Sequence, residues 1–313
     1  MKQPLVSVGI PCYNQQQYIA EALESVLTQN YGNLRIVVSD DASQDATSNI
    51  VRDFAGRHPD KIVAQFHRAN LGVTENARSM AALIEGEYVC WLAGDDIFLP
   101  GKIVKQVSAM EANPAAVMCY HDMEVFEDRT KKTLYRYNEP GPGQRPFQGD
   151  IVRHLLTRRC FVGANSIMLR RAAVNDIEIR AGLQRVSDWV YITEIAHRGE
   201  VIYLDEVLTR YRRHPNNLSK VVDIGDERAA YSLFEVMFPQ YAGEIERGRS
   251  RLELSFLVQY ILLGRLREGA ALAANLARRV WSDAQTRRFL ARSFGEMVVQ
   301  RLHLALRTRK LWR

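Results

Sequence analysis

Apolar residues follow two alternating rhythms over the first hundred positions. Short unbroken runs at residues 5–10, 34–39, 61–66 and 88–92 predict buried strands. Between them, Ile19, Leu23, Val26 and Leu27 recur at helical spacing, as do Thr47, Ile50, Val51 and Phe54, and residues 74–84 predict a third helix. Asn14 stands where a cap for the first helix belongs. Strands alternating with helices of this length imply βαβ units and a mostly parallel sheet flanked by helices. The turns after Ile10, Ser39 and Leu92 then share the carboxyl edge of that sheet, where α/β folds place ligands.

After a helix carrying Ile103, Val104, Val107 and Met110, the rhythm loosens. Residues 117–126, 133–137, 166–169, 201–204 and 207–212 predict shorter strands, with a helix over 188–197 and a Gly/Pro-rich crossing loop over 139–149. All ten prolines lie at or before Pro239, and from about residue 226 the chain reads as helical. In the last helix Leu290, Phe294, Met297 and Leu304 share a face, with Arg301 intruding on it. The resulting division is an α/β domain over 1–220 and a helical, basic extension over 221–313.

Composition narrows this picture. With 313 residues, 47% of them hydrophobic, the chain can bury a large core. It has no apolar run near the roughly 18 residues of a membrane span, and its start lacks a signal-peptide pattern, so a cytoplasmic location is expected. Cys12, Cys90, Cys119 and Cys160 are widely spaced, which predicts inert thiols rather than a metal knuckle or a disulfide framework. The formal charge of +6 is concentrated late: residues 278–313 hold ten basic side chains against Asp283 and Glu296. That segment reads either as a helix packed on the catalytic domain or as a peripheral docking element for an anionic membrane; no nucleic-acid partner is expected.

Candidate chemistry gathers at the predicted sheet edge. The stretch 89–100, VCWLAGDDIFLP, ends an apolar run in a glycine and two adjacent carboxylates. Asp95 and Asp96 repel each other there unless a divalent cation or a hydrogen-bonding ligand compensates them. The turn Pro11-Cys12-Tyr13-Asn14 offers free backbone N–H groups and a flat ring to a nucleotide. It lacks G-x-G-x-x-G, which argues against a nicotinamide dehydrogenase. Asp41 is placed to accept the imide N–H of uracil or thymine, and Asn70 and Arg78 supply an amide and a guanidinium, whereas Ser43 or Asp45 reads as a helix cap.

The ordered set PCYN, VVSDDASQDAT, NLGVTENAR, WLAGDDIFLP, SDW and YRRH resembles the inverting family 2 glycosyltransferases with the GT-A fold, over residues 4–220. The resemblance implies sugar transfer from a nucleoside diphosphate donor, UDP- or dTDP-linked, to a glycan or lipid-linked acceptor, assisted by Mn²⁺ or Mg²⁺. It implies that Pro11, Tyr13 and Asp41 line the base and ribose pocket, that Arg78 assists the nucleotide, and that Asp95 ligates the cation. Asp96 takes a supporting or ribose-side place. The family's D-x-D falls on Ala93-Gly94-Asp95, so the first carboxylate is missing. Asp188 matches the family's catalytic base and His214 a metal or diphosphate ligand; alternatively Arg212 or Arg213 clamps the diphosphate, with Asn217 and Ser219 contacting it from a segment that closes over the donor. Trp189 either stacks on a sugar or packs in the core, and Asn165 within FVGANS lies on the acceptor side or in a plain loop. Surface polysaccharide biosynthesis is the expected setting. A sugar nucleotidyltransferase and a non-catalytic glycan-binding protein are the alternatives, the former disfavoured because PCYNQQQYI has no glycine-rich phosphate loop.

Overall fold

A computed structural model describes residues 3–138, 147–180, 182–183, 185–217 and 224–291. The strands β1 (Val6–Cys12), β2 (Leu34–Asp40), β3 (Ile62–Phe66) and β4 (Tyr88–Trp91) pair in parallel in the order β3-β2-β1-β4. Helices α1 (Ile19–Leu27), α2 (Thr47–Arg57) and α3 (Val73–Ala81) return the chain between them. Val6, Val8 and Ile10 of β1 and Cys90 of β4 bury one side of the sheet in a cluster with Ile19, Leu23 and Val26 of α1 and with Ile103 and Met110 of α4 (Lys102–Ala112). These are the residues whose spacing marked the strands and helices.

Beyond β4 the sheet becomes mixed. A two-residue strand, β5 (Ile97–Phe98), follows the aspartate pair, and β6 (Ala116–Glu127), β7 (Thr133–Arg136), β8 (Met168–Arg170) and β9 (Glu200–Arg213) complete a nine-stranded sheet in which β8 runs antiparallel to β4 and β9 parallel to β6. The two strands expected at 201–204 and 207–212 are one. Asp205 and Glu206 interrupt the apolar alternation without ending the strand: β6 pairs His121 with Leu204 and then Asp122 with Val207, so the two acidic residues bulge out of the ladder. Residues 164–166 form a 3-10 turn before β8, and α6 (Ser187–Ala196) follows it.

The chain divides into two compact units. The first comprises residues 1–152 and 160–221, and the second residues 153–159 and 222–313. The second unit takes in most of α5 (Val152–Arg158), a helix the sequence pattern did not reveal, together with α7 (Gly225–Met237), α8 (Ala242–Leu262) and α9 (Leu266–Ser282). Within it Tyr231 of α7 donates to Leu156 O at 3.0 Å, and Glu227, buried on α7, pairs with Arg159. Among the described residues no helix is long and apolar enough to cross a membrane. Ser219, residues 139–146 of the expected loop, and Phe294, Met297, Arg301 and Leu304 of the expected last helix lie outside the described residues.

Candidate active site

Because β1, β2 and β4 run parallel, Cys12, Asp40 and Trp91 end at one edge. The loops leaving that edge are joined by polar contacts. Asn14, with φ 50°, does not cap α1, whose N-terminal flank is Tyr18; its N–H donates to Ser43 Oγ at 2.9 Å and its Oδ1 accepts Gln44 N–H at 2.8 Å. Gln15 N–H donates to Thr47 Oγ1 at 2.7 Å and Gln16 N–H to Asp45 Oδ2 at 3.1 Å. The β1–α1 and β2–α2 loops are thereby locked together, leaving the Tyr13 ring exposed on their surface beside Pro11.

Asp41 is buried at the centre of this edge. Its N–H donates to Cys12 O at 2.9 Å, while Oδ1 accepts Leu71 N–H at 2.7 Å and Oδ2 accepts Gly72 N–H at 2.9 Å. Gly72 holds φ 84°, a conformation that glycine adopts without penalty and that brings both amides onto the carboxylate. Each carboxylate oxygen retains a second lone pair for a further donor. Asn70 lies beside it, its Nδ2 3.4 Å from Asp41 O and its Oδ1 accepting Gly72 N–H at 3.1 Å. Arg78 is engaged elsewhere: its guanidinium pairs with Glu75 at 3.0 Å and Glu178 at 2.7 Å, beside a cavity of about 430 Å³ on the α3 side of β4 that Trp91, Arg171 and Tyr191 also line.

The second cluster follows β4. Gly94 N–H reaches Pro11 O at 3.3 Å, and a Cβ at Gly94 would meet Gln15 Oε1 and lie 3.0 Å from Cys12 Cβ, so only glycine lets the aspartate turn lie this close to the β1 loop. Adjacent residues then face opposite ways. Asp95 Oδ2 lies 2.8 Å from His214 Nε2, whereas Asp96 is fully buried, accepting Arg212 N–H at 2.7 Å and the Asn165 amide. Burial and the neighbouring Asp95 charge push the Asp96 carboxyl well above the usual range, against the pull of the Arg212 N–H and guanidinium. Asp96 thus faces inward. Asn165 belongs to the same network: its Oδ1 accepts Ala93 N–H at 2.9 Å and its backbone O accepts Thr209 Oγ1–H at 3.1 Å, so it braces the aspartate turn.

Alternation along β9 sends Arg212 and His214 to the same side. Arg212, only 1% exposed, donates from Nε to Asp95 O at 2.7 Å and from Nη1 to Asp128 at 2.7 Å, and pairs through Nη2 with Glu21. Its guanidinium lies over the Tyr18 and Phe126 rings. It is thus a buried brace and not a diphosphate clamp, while Arg213 meets Tyr135 Oη at 3.2 Å. The Tyr18 ring stacks on His214 with centroids 4.9 Å apart, and its hydroxyl donates to Asp128 at 3.2 Å. Asn216 N–H lies 3.3 Å from His214 Nδ1, and Nε2 faces Asp95. Asn217 fixes the same turn, accepting His214 N–H at 2.7 Å.

Partial burial alone would raise the Asp128 carboxyl, but hydrogen bonds from Lys131, Arg212 and Tyr18 hold it down at about 2. A folded-state value below the unfolded one of roughly 3.9 stabilises the fold above that pH and is lost as pH falls towards about 2. Chemical denaturation from pH 5 to pH 2, in steps of about one unit, should show Asp128→Asn losing stability less steeply than the parent chain; equal slopes would remove Asp128 from the brace.

Asp188 is exposed on the first turn of α6, with Oδ1 accepting Trp189 N–H at 2.8 Å. Trp189 itself is buried in the core, so it offers no open face to a sugar. Among the described residues no group of three or more His, Cys, Asp or Glu side chains is gathered to hold a metal, and Asp95 and His214 stand as a pair. Tyr18, Glu21 and Asp128 escaped the sequence reading, since nothing local distinguishes them from other surface polar residues.

Comparison with known proteins bears on family and fold. The glycosyl transferase family 2 pattern matches residues 7–177, more than half of the chain. The chain is 32% identical over 209 residues to the uncharacterized protein Rv1520 of Mycobacterium tuberculosis, covering 66% of this chain and 58% of that protein. It is 29% identical over 216 residues to the uncharacterized glycosyltransferase RT0329 of Rickettsia typhi, covering 67% of this chain and 64% of that one. The chain thus spans about 58% of the length of the mycobacterial relatives it matches. Among solved structures, S. aureus TarS in complex with UDP-GlcNAc aligns with TM-score 0.67 and 16% identity over 96% of this chain and 88% of that one. Mannosyltransferase PcManGT from Pyrobaculum calidifontis, in complex with GDP-Man and Mn²⁺, aligns with TM-score 0.54 and 17% identity over 98% and 81%. At these identities the structural likeness is one of fold, GT-A-like. The family match and the ordered strand-end motifs together establish that the chain belongs to glycosyl transferase family 2.

Proposed function

We propose that this chain transfers a sugar from a nucleoside diphosphate donor, UDP- or dTDP-linked, to a hydroxyl of a glycan or lipid-linked acceptor, with inversion at the anomeric carbon, acting at the cytoplasmic side in surface polysaccharide synthesis. The observation that carries this reading is the juxtaposition of Asp95 and His214, 2.8 Å apart, at the strand edge that also carries the exposed Tyr13 ring and the buried Asp41. The solved neighbours hold UDP-GlcNAc in TarS and GDP-Man in PcManGT, which supports the donor class.

The residues fit a divalent cation. Asp95 and His214 would hold it through a carboxylate oxygen and an imidazole nitrogen, and with one carboxylate where the family pattern has two, donor diphosphate oxygens would supply further ligands, so metal affinity would rise with the donor bound. Mn²⁺ or Mg²⁺ bound there supplies positive charge against the diphosphate leaving group. Asp41 accepts the imide N–H of the base while its backbone-amide partners hold it in place. The Tyr13 ring offers a stacking face, and Pro11, Asn14 and Asn70 shape the loops around it. Arg78 assists the nucleotide only after exchanging Glu178 or Glu75 for it. Asp188, on the first turn of α6, takes the proton from the acceptor hydroxyl as that oxygen attacks.

Donor hydrolysis should require Mn²⁺ or Mg²⁺ and stop in EDTA, and His214→Ala should raise the Mn²⁺ concentration for half-maximal rate by roughly tenfold or more. Asp95→Ala should weaken both Mn²⁺-dependent UDP binding and turnover. Full activity in EDTA, or an unchanged Mn²⁺ requirement in both variants, would remove the pair from the metal site.

A further inference from the structure

The second unit carries an apolar tip that its own packing leaves open. Along α8 and α9 the inward residues are buried, among them Ile245, Leu252, Phe256, Leu272 and Leu276. At the turn between the helices the pattern reverses: Ile261 is 55%, Leu262 47%, Leu263 57% and Leu266 66% exposed. Gly264, with φ 72°, makes the reversal tight.

The arrangement of these side chains selects the occupant. Ile261, Leu262 and Leu263 are consecutive, and successive residues at a helix end point about 100° apart, so they project around the tip and not along one stripe. A protein groove that receives a helix face wants apolar residues at i, i+3 and i+4 with polar ones between. A bilayer interface surrounds a tip from all sides and needs no such stripe. Arg265 and Arg267 stand exposed at the same turn, Arg265 paired with Glu268 at 2.9 Å. Arginines beside an exposed apolar cluster match an anionic headgroup layer over acyl chains. With no spanning helix among the described residues, such contact is peripheral.

We propose that the α8–α9 turn docks on anionic lipid, placing Ile261, Leu262, Leu263 and Leu266 at the acyl boundary and Arg267 among the headgroups. The docking stands independently of sugar transfer and uses a different segment from the basic stretch 278–313. The full chain should co-sediment with phosphatidylcholine vesicles containing about a third phosphatidylglycerol, and less with phosphatidylcholine alone. The double substitution Leu263→Asp, Leu266→Asp should lower vesicle partitioning by roughly tenfold or more, with thermal stability and donor hydrolysis unchanged because both positions are exposed. The Leu263→Trp protein should gain, over the parent chain, an emission that shifts to the blue on vesicle addition and is quenched by brominated acyl chains. Equal sedimentation of the parent and the double Asp variant would overturn the proposal, as would an added emission in Leu263→Trp that is indifferent to vesicles. So would a parent dimer that the Asp pair converts to monomer, since the tip would then be a self-interface.

Discussion

Asp188→Asn should abolish sugar transfer, with turnover falling by about 10²- to 10⁴-fold, while UDP binding in Mn²⁺ stays at the parent value. The variant is a clean test because the amide is nearly isosteric with the carboxylate and keeps an oxygen for the Trp189 N–H, so the first turn of α6 retains its contact. What it removes is the capacity to accept the acceptor's proton. If the assignment holds, the loss falls on kcat with the donor KM unchanged, because the base acts on the acceptor side of the displacement and contributes nothing to nucleotide binding. Asp188→Glu should recover part of the rate, the base being kept and its reach altered. A parent rate in Asp188→Asn would move the base elsewhere, and a matching loss of UDP affinity would make Asp188 a structural residue of the donor pocket.

How much of this was legible differs between the sheet and the site. The parallel half of the sheet follows from four apolar runs with amphipathic helices between them, since burying both strand faces leaves no other pattern. The aspartate pair was legible as chemistry but not as geometry. At the end of a strand neighbouring side chains leave on opposite sides, so Asp95 meets His214 and Asp96 turns inward to Asn165 and Arg212. A linear sequence shows two equal carboxylates and cannot say which one faces out until the turn is placed. The YRRH motif marked His214, but its first arginine reads as a free cation. Its partners Glu21 and Asp128 stand 191 and 84 positions away, beyond any local pattern. Trp189 shows the same limit: beside Asp188 it invites a sugar-stacking role, yet helical spacing carries its ring into the core.

Arg212→Met should be the most destabilising single change in the first unit, by about 3 kcal/mol, read as a fall of about 6–12 °C in the melting temperature of that unit. Methionine keeps most of the side-chain volume, so the loss is electrostatic and not a cavity. Removing the guanidinium leaves Asp95 O without its donor, takes the counter-charge from Glu21 and leaves Asp128 with Lys131 as its remaining cation. The figure lies at the low end for a broken buried pair because Glu21 is half exposed and Asp128 a quarter exposed, so water can solvate both. Arg212→Lys should recover only part, since an ammonium cannot serve three separated acceptors in the planar arrangement that the guanidinium does. The strand hydrogen bond from residue 212 N–H to Asp96 survives either change, which keeps the aspartate turn formed and makes the effect specific to the side chain. In a double-mutant cycle with Asp128→Asn, the second substitution should cost little once Arg212 is gone; fully additive losses would mean that the two side chains stabilise the fold separately. Because Tyr18 both stacks on His214 and donates to Asp128, the folded Arg212→Met protein should also bind Mn²⁺ with UDP more weakly, the imidazole having lost the brace that holds its neighbours in place.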